Sequence, residues 1–220
     1  MIPGARLVVL GRQGAGKGTQ CVRLARHYVV PHISTGDILR TAVKSGSELG
    51  IKAGEFMDRG DLLPDEIIIG IVEERLAQDD TERRGFVLDG FPRTLRQAES
   101  LFETLGDKGI DLAIDLDVPI DLATERLASR RVCRDCGTNY STSVPPSQGW
   151  VCDSCGGDVI QRADDTTDAI KRRLELYDSD TTPLIEWFEE RGVLAIVDGT
   201  GAPESVTTRL IDLIDSRIQT

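Results

Sequence analysis

The chain has 220 residues, 40% hydrophobic and 29% charged, with a formal net charge of -11. This length fits one sizeable core carrying inserts, and excludes two large independent domains. The acidic balance leaves no excess Lys and Arg to neutralise phosphates, which excludes a general nucleic-acid binder. Only five of the basic residues are Lys, and Asp outnumbers Glu by 23 to 14; a saline cytosol and a coding bias toward Arg and Asp account for this equally. The first apolar run, Leu7 to Leu10, is far shorter than a signal-peptide core, and no stretch approaches the ~20 apolar residues that cross a bilayer. A cytoplasmic protein without membrane association is expected.

In chain order, RLVVL at 6–10 reads as a buried strand, followed by the glycine-rich GRQGAGKGT at 11–19 and a helical pattern in GTQCVRLARHY. VVPHI at 29–33 reads as a second strand. PDEIIIGIVEERLAQ at 64–78 has apolar residues at three- and four-residue spacing, and GFVLD, LAIDLDV and VLAIVD add three further strands. Strands alternating with helices predict right-handed βαβ units. The expected fold class is α/β: a parallel five-stranded sheet with helices on both faces and ligands at the carboxyl ends of the strands, of the P-loop NTPase type by virtue of the glycine loop GRQGAGKGT after its first strand. Residues 129–165 break the pattern, being rich in Cys, Gly, Pro and Asp, and are expected to form an insert with its own organisation.

Four glycines in nine positions cost conformational entropy unless the backbone itself has a task. A strand, then Gly11, Gly14, Gly16 and Lys17, then a helix is the P-loop arrangement, in which backbone N–H groups and a helix N-terminus surround phosphate oxygens. Lys17 is placed to reach the terminal phosphates as a mobile charge. Gly18 stands where Ser or Thr usually ligates magnesium, and Thr19 follows one place later, so that direct ligation is not expected. In the insert, Cys133, Cys136, Cys152 and Cys155 form CxxC, fifteen residues, CxxC. In a reducing compartment this spacing predicts a closed tetrahedral zinc site with a structural role; iron could occupy the same sulfurs. Cys21 reads as packed core, and His27 and His32 as structural residues.

The GKGT ending of the glycine loop resembles the nucleoside monophosphate kinases. ISTGDILR at 33–40, LLPDEI at 62–67, GFVLDGFPRTLRQAE at 85–99, RLASRRVC at 126–133, QRADD at 161–165 and RRL at 172–174 are similar to adenylate kinase in order and separation. Gln13 departs from the proline common before Gly14. The resemblance implies a core of 1–33, 64–128 and 166–220, a monophosphate-binding insert at 34–63 and a zinc-bearing lid at 129–165. It implies ATP held by Gly14, Ala15, Gly16, Lys17, Gly18 and Thr19, by Arg126 and Arg130, by Asn139 and Tyr140 of the lid, and by Gly201. Arg126 and Arg130, spaced i,i+4, are expected on one helix face. AMP is implied at Thr35, Arg40, the backbone of Asp61, Leu62 and Leu63, at Gly90, Phe91, Pro92 and Arg93, at Gln97, and at Arg162 and Arg173.

Phosphoryl transfer needs positioning and electrostatic stabilisation rather than a covalent intermediate, so Lys17, Arg93, Arg130, Arg162 and Arg173 are the expected catalytic residues. Asp89, at the carboxyl end of GFVLD, is expected to organise magnesium through its water shell. Asp164 and Asp165, near the second hinge of the lid, are expected to pair with arginines. The implied activity is reversible conversion of ATP and AMP to two ADP by a monomer with Mg2+ and structural Zn2+. A UMP or CMP kinase on the same fold is the near alternative. A P-loop switch or zinc-ribbon binding protein is the rival from another class.

Overall fold

The computed structural model describes residues 4–162 and 164–218. Five parallel strands, β1 (Arg6–Leu10), β2 (His32–Ser34), β3 (Phe86–Asp89), β4 (Leu112–Asp117) and β8 (Leu194–Asp198), form one sheet in the order β2-β3-β1-β4-β8. The inner strands bury both faces, whereas the edge strand β8 buries Ala195 and Val197 and leaves Ile196 exposed. Leu7 and Val9 of β1 belong to one core cluster and Val8 and Leu10 to another, which is why these strands read as unbroken apolar runs. Helices α1 (Lys17–Tyr28) and α10 (Pro203–Ile218) close the first face. Helices α4 (Asp65–Leu76), α6 (Leu95–Leu105) and α9 (Thr182–Glu190) close the second, on a core that includes Phe86, Phe91 and Phe188. Helices α5 (Asp79–Arg84), α7 (Ile120–Ser129) and α8 (Thr167–Leu176) complete the core's connections.

Between β2 and α4 lies an α-hairpin, α2 (Thr35–Ser45) and α3 (Glu48–Arg59). Its helices approach so closely that a Cβ at Gly50 would stand 2.0 Å from the Ala42 carbonyl oxygen. Between α7 and α8 the chain forms a separate antiparallel sheet in the order β6-β5-β7, from β5 (Arg130–Cys133), β6 (Asn139–Ser141) and β7 (Val159–Ile160). Among the described residues its hydrophobic cluster holds Cys133, Cys152 and Val159, with Tyr140 against them. A core that small cannot order the segment without a crosslink.

Two boundaries differ from the sequence expectation. The strand expected over VVPHI is confined to His32–Ser34, because Val29 ends α1 in the left-handed conformation, with φ of 57°, and Pro31 cannot donate to a ladder. Arg126 and Arg130 do not share a helix face: α7 ends at Ser129, and Arg130 is already extended as the first residue of β5. Among the described residues no helix is long and apolar enough to cross a membrane.

Candidate active site

The glycine loop leaves β1 at the carboxyl edge of the sheet and enters α1 at Lys17. Gly16 caps the helix in the left-handed conformation without a side-chain cap, and the first turn carries no acidic residue. The positive helix end therefore faces the site with its N–H groups uncovered by side chains. The glycine at position 14 answers to internal packing: a Cβ there would lie 2.2 Å from the Ala123 carbonyl oxygen. Arg126 braces the loop from α7, its guanidinium donating to the Ala15 oxygen at 3.1 Å and the Gly199 oxygen at 3.2 Å. That ties the loop to the segment after β8 that holds Gly201.

Lys17 folds back on the loop, its Nζ donating to the carbonyl oxygens of Gly11 at 2.5 Å and Arg12 at 3.0 Å. Burial pushes the ammonium down to about 8, with Arg93 and Arg130 adding to the fall and Asp89 opposing it. An unfolded lysine titrates near ~10.4, so between these values the unfolded chain binds more protons and stability rises with pH. Compared with Lys17→Met, the wild type is expected to gain on the order of 1–2 kcal/mol from pH 8 to 10.4. Urea unfolding across that range measures it; a constant difference between the two proteins would mean that the amine is solvated.

A second concavity opens between the α-hairpin and the core. Its walls include Thr35, Arg40, Asp61, Leu62, Leu63, Gly90, Arg93, Gln97 and Arg173, all expected on the monophosphate side, together with Gln13, Gly36, Leu39, Met57, Ile68 and Asp164. Thr35 Oγ1 donates to the Gly90 oxygen at 3.0 Å, and Arg93 Nε donates to the same oxygen at 2.8 Å. Gln97 accepts from the Arg93 backbone N–H at 2.8 Å and donates through Nε2 to Asp65 Oδ1 at 2.7 Å. Asp65 also accepts from Thr94; this organising role was missed in the sequence. Phe91 and Pro92 sit on the same loop, but the Phe91 ring belongs to the second core cluster, 1% exposed.

Between the two concavities the arginines converge. Arg93 is pushed down by burial and by the charges of Arg173 and Arg40, and Arg162 is pushed down to about 10 by burial and by Arg130 and Arg40. Five like charges do not gather in a half-buried space unless an anion is to offset them. Arg162 Nε and Arg173 Nη1 are buried without a hydrogen-bond partner. Two carboxylates supply part of the balance. Asp165, its side chain fully buried, accepts from Arg130 Nε at 2.8 Å and from Arg130 Nη2. Asp164 accepts from Arg173 Nη2 at 2.6 Å; burial opposes its ionised form, but Arg173, with Arg40 and Arg162, offsets this and holds its carboxyl low. The acidic pair expected near the second hinge thus meets arginines here.

Asp89 ends β3 facing the glycine loop. Its Oδ2 is 3.4 Å from where a Cβ at Gly18 would lie, so a side chain at position 18 would crowd the carboxylate, and glycine leaves room for a hydrated cation. His32, expected to be merely structural, places Nε2 3.4 Å from Asp89 Oδ2.

In the small sheet the four cysteine sulfurs lie within 4.8 Å of one another, with Cys133 to Cys155 and Cys136 to Cys152 each 3.5 Å apart. Tetrahedral Zn–S bonds of ~2.3 Å put sulfurs roughly 3.8 Å apart, whereas a disulfide needs ~2.05 Å, so the cluster suits a metal. The Tyr140 hydroxyl donates to Cys152 Sγ at 3.4 Å and helps push that thiol down to about 5. The same hydroxyl accepts from the Asp153 N–H at 2.8 Å. The Tyr140 hydroxyl is therefore spent on the cluster. Asn139 is exposed, its Oδ1 3.5 Å from Arg162 Nη2.

A P-loop at the carboxyl edge of a parallel sheet, joined by buried arginines to a second pocket, defines a phosphotransferase that works between two phosphate-bearing ligands. A family model described as Adenylate kinase matches residues 9–193. The adenylate kinase of Thermodesulfovibrio yellowstonii is 46% identical over 96% of this chain and 100% of its own length. That of Geobacillus sp. is 47% identical over 94% of this chain and 97% of its own, and that of Archaeoglobus fulgidus 50% over 91% and 93%. The chain belongs to the adenylate kinase family.

Proposed function

We propose that this chain transfers the terminal phosphoryl group of MgATP to AMP, giving two ADP, and runs the reaction in reverse. The reading is carried by the arginine convergence between the glycine loop and the second pocket, where Arg162 Nε is buried without a hydrogen-bond partner and Arg173 Nη1 has only an ion pair with Asp165 at 3.5 Å. The ATP phosphates lie on the backbone of Gly14 to Thr19 with Lys17 on the outermost, and Arg126, Arg130, Asn139 and the backbones of Tyr140 and Gly201 complete the donor side. AMP occupies the second pocket: Arg40 and Arg93 hold its phosphate, Thr35, Gln97 and the backbone of 61–63 its nucleoside. The second N–H of the Gln97 amide remains for the base.

Lys17, Arg93, Arg130, Arg162 and Arg173 then surround the transferring group. Charge spreads over its equatorial oxygens in a loose transition state, and fixed cations stabilise it without reorganisation. Magnesium, when bound with ATP, neutralises phosphate charge and fixes its geometry; Asp89 would anchor it through water. The four cysteines would hold zinc as a crosslink. Residues 34–63 and 129–165 close over the core 1–33, 64–128 and 166–220, excluding water so that transfer outruns hydrolysis. We propose that the chain works as a monomer, and its net charge of -11 supports no nucleic-acid partner. The working compartment we propose is the cytoplasm.

The test compares ADP formed from ATP plus AMP with ATP hydrolysis alone, and sets AMP against UMP, CMP and GMP. Transfer to AMP is expected to dominate; equal or better use of UMP or CMP would move the assignment to that kinase class, and hydrolysis without transfer would point to a switch. Arg93→Ala removes a phosphate-directed charge worth ~1.5–3 kcal/mol in such hydrogen bonds, so KM for AMP should rise about 10–100-fold while KM for ATP moves only a few-fold. Equal losses for both nucleotides would contradict the placement of Arg93.

A further inference from the structure

Apart from the lid cysteines, one other group of potential metal ligands stands together among the described residues. Cys21 on α1, His32 at the start of β2 and Asp89 at the end of β3 bring one ligand atom each within 4.8 Å of one another. The parallel register that sets Ser34 opposite Asp89 and His32 opposite Val87 holds the two strand residues on adjacent strands, and Cys21 descends on them from the helix above. His32 Nε2 lies 3.4 Å from Asp89 Oδ2, yet it is buried with no hydrogen-bond partner. A buried imidazole nitrogen normally finds a partner. Metal–ligand bonds of ~2.0–2.2 Å at a tetrahedral angle would put that nitrogen and oxygen roughly 3.4 Å apart, so this pair already stands at ligating separation.

We propose that Cys21, His32 and Asp89 form a second metal site, separate from the lid cysteines, for a thiophilic divalent cation such as Zn2+ or Co2+. Sulfur, imidazole and carboxylate are a borderline-soft donor set, which favours such ions over Mg2+. Three protein ligands leave the fourth position open to water. On binding, the Cys21 thiol gives its proton to solvent, and thiolate plus carboxylate neutralise the ion's double charge. Occupation draws Asp89 onto the new ion and away from the magnesium of the nucleotide, so the site inhibits transfer. This last step rests on the role proposed above for Asp89; the binding itself does not.

The experiment starts from protein with its lid zinc in place and adds Co2+ in thiol-free buffer, following the thiolate-to-cobalt absorption while metal analysis confirms that lid zinc stays bound. Wild type should take up one further equivalent. Cys21→Ala should lose the sulfur band, and Cys21→Ala and His32→Gln should each weaken uptake by more than the ~10–100-fold typical of changes outside the ligand shell. His32→Gln lies at a partly exposed strand end, so it serves even if Cys21→Ala packs poorly. No second equivalent, or one that both variants retain unchanged, would overturn the site. Zn2+ should then inhibit wild-type transfer at least tenfold more strongly than either variant, at matched nucleotide and Mg2+. Stoichiometric binding with no difference in inhibition would overturn the regulatory step and Asp89's magnesium role while leaving the metal site standing.

Discussion

Lys17→Met is expected to lower kcat/KM for phosphoryl transfer by about 10³-fold with the fold intact. Methionine keeps the length of the apolar stem and removes only the charge and its donors. In the structure the ammonium rests on the Gly11 and Arg12 carbonyl oxygens, and both must be released when it turns to a phosphate. Arg12 is half-buried, so water can replace the amine at its carbonyl; Gly11 is buried, and the donor its carbonyl loses is a cost set against removal of the desolvated charge. Burial already depresses the amine, so its loss relieves a desolvated charge instead of removing a stabilising one. The loss should appear in kcat more than in nucleotide affinity, because the N–H groups of the loop and the start of α1 still bind phosphate. Single-turnover transfer and calorimetric ATP binding separate the two; wild-type turnover in this variant would rule out the loop as donor site.

What the sequence discloses about this architecture follows from how each feature is encoded. Parallel strands buried on both faces appear as short apolar runs, so RLVVL, GFVLD and LAIDLDV could be read directly; VLAIVD reads the same way although its edge position leaves Ile196 exposed. The cysteine quartet is legible because its ligands lie in two local pairs. Arg130 was misplaced because nothing in ERLASRRV punctuates the helix: no Gly or Pro marks the passage from Ser129 into β5, and an i,i+4 spacing does not reveal where a helix stops. The Gln97 bond to Asp65 spans 32 residues, and the Tyr140 hydroxyl reaches a sulfur twelve positions away; such pairings are made by the fold and leave no local signal. His32 was set aside for the same reason, since its neighbours Cys21 and Asp89 come from a helix and another strand. Asp164 and Asp165 were easier, because an acidic pair after an arginine at the end of an insert has an evident electrostatic use.

Replacing Cys152 and Cys155 together with Ser is expected to produce the largest loss of order. Without four thiolates the metal leaves, and the small sheet retains a hydrophobic cluster built chiefly on Cys133, Val159 and the ring of Tyr140. Structural zinc contributes ~10–16 kcal/mol as an apparent value in isolated fingers, far more than so small a cluster can replace. Only part of this will register in global unfolding, because lid and core can unfold separately. The parallel sheet shares no side chain with the cysteine cluster, so ATP should still bind the glycine loop. The β5 end of the lid, by contrast, carries Arg130, whose pairing with Asp165 depends on the strand being formed. Transfer should therefore fall while remaining measurable at low temperature, and protease should cut between residues 134 and 158 before it cuts the core. Metal analysis, a melting curve and limited proteolysis of the double variant test the chain of reasoning in turn. A variant that keeps its zinc would overturn the ligand set, and one that stays fully ordered yet transfers nothing at any temperature would give the metal a part in the chemistry.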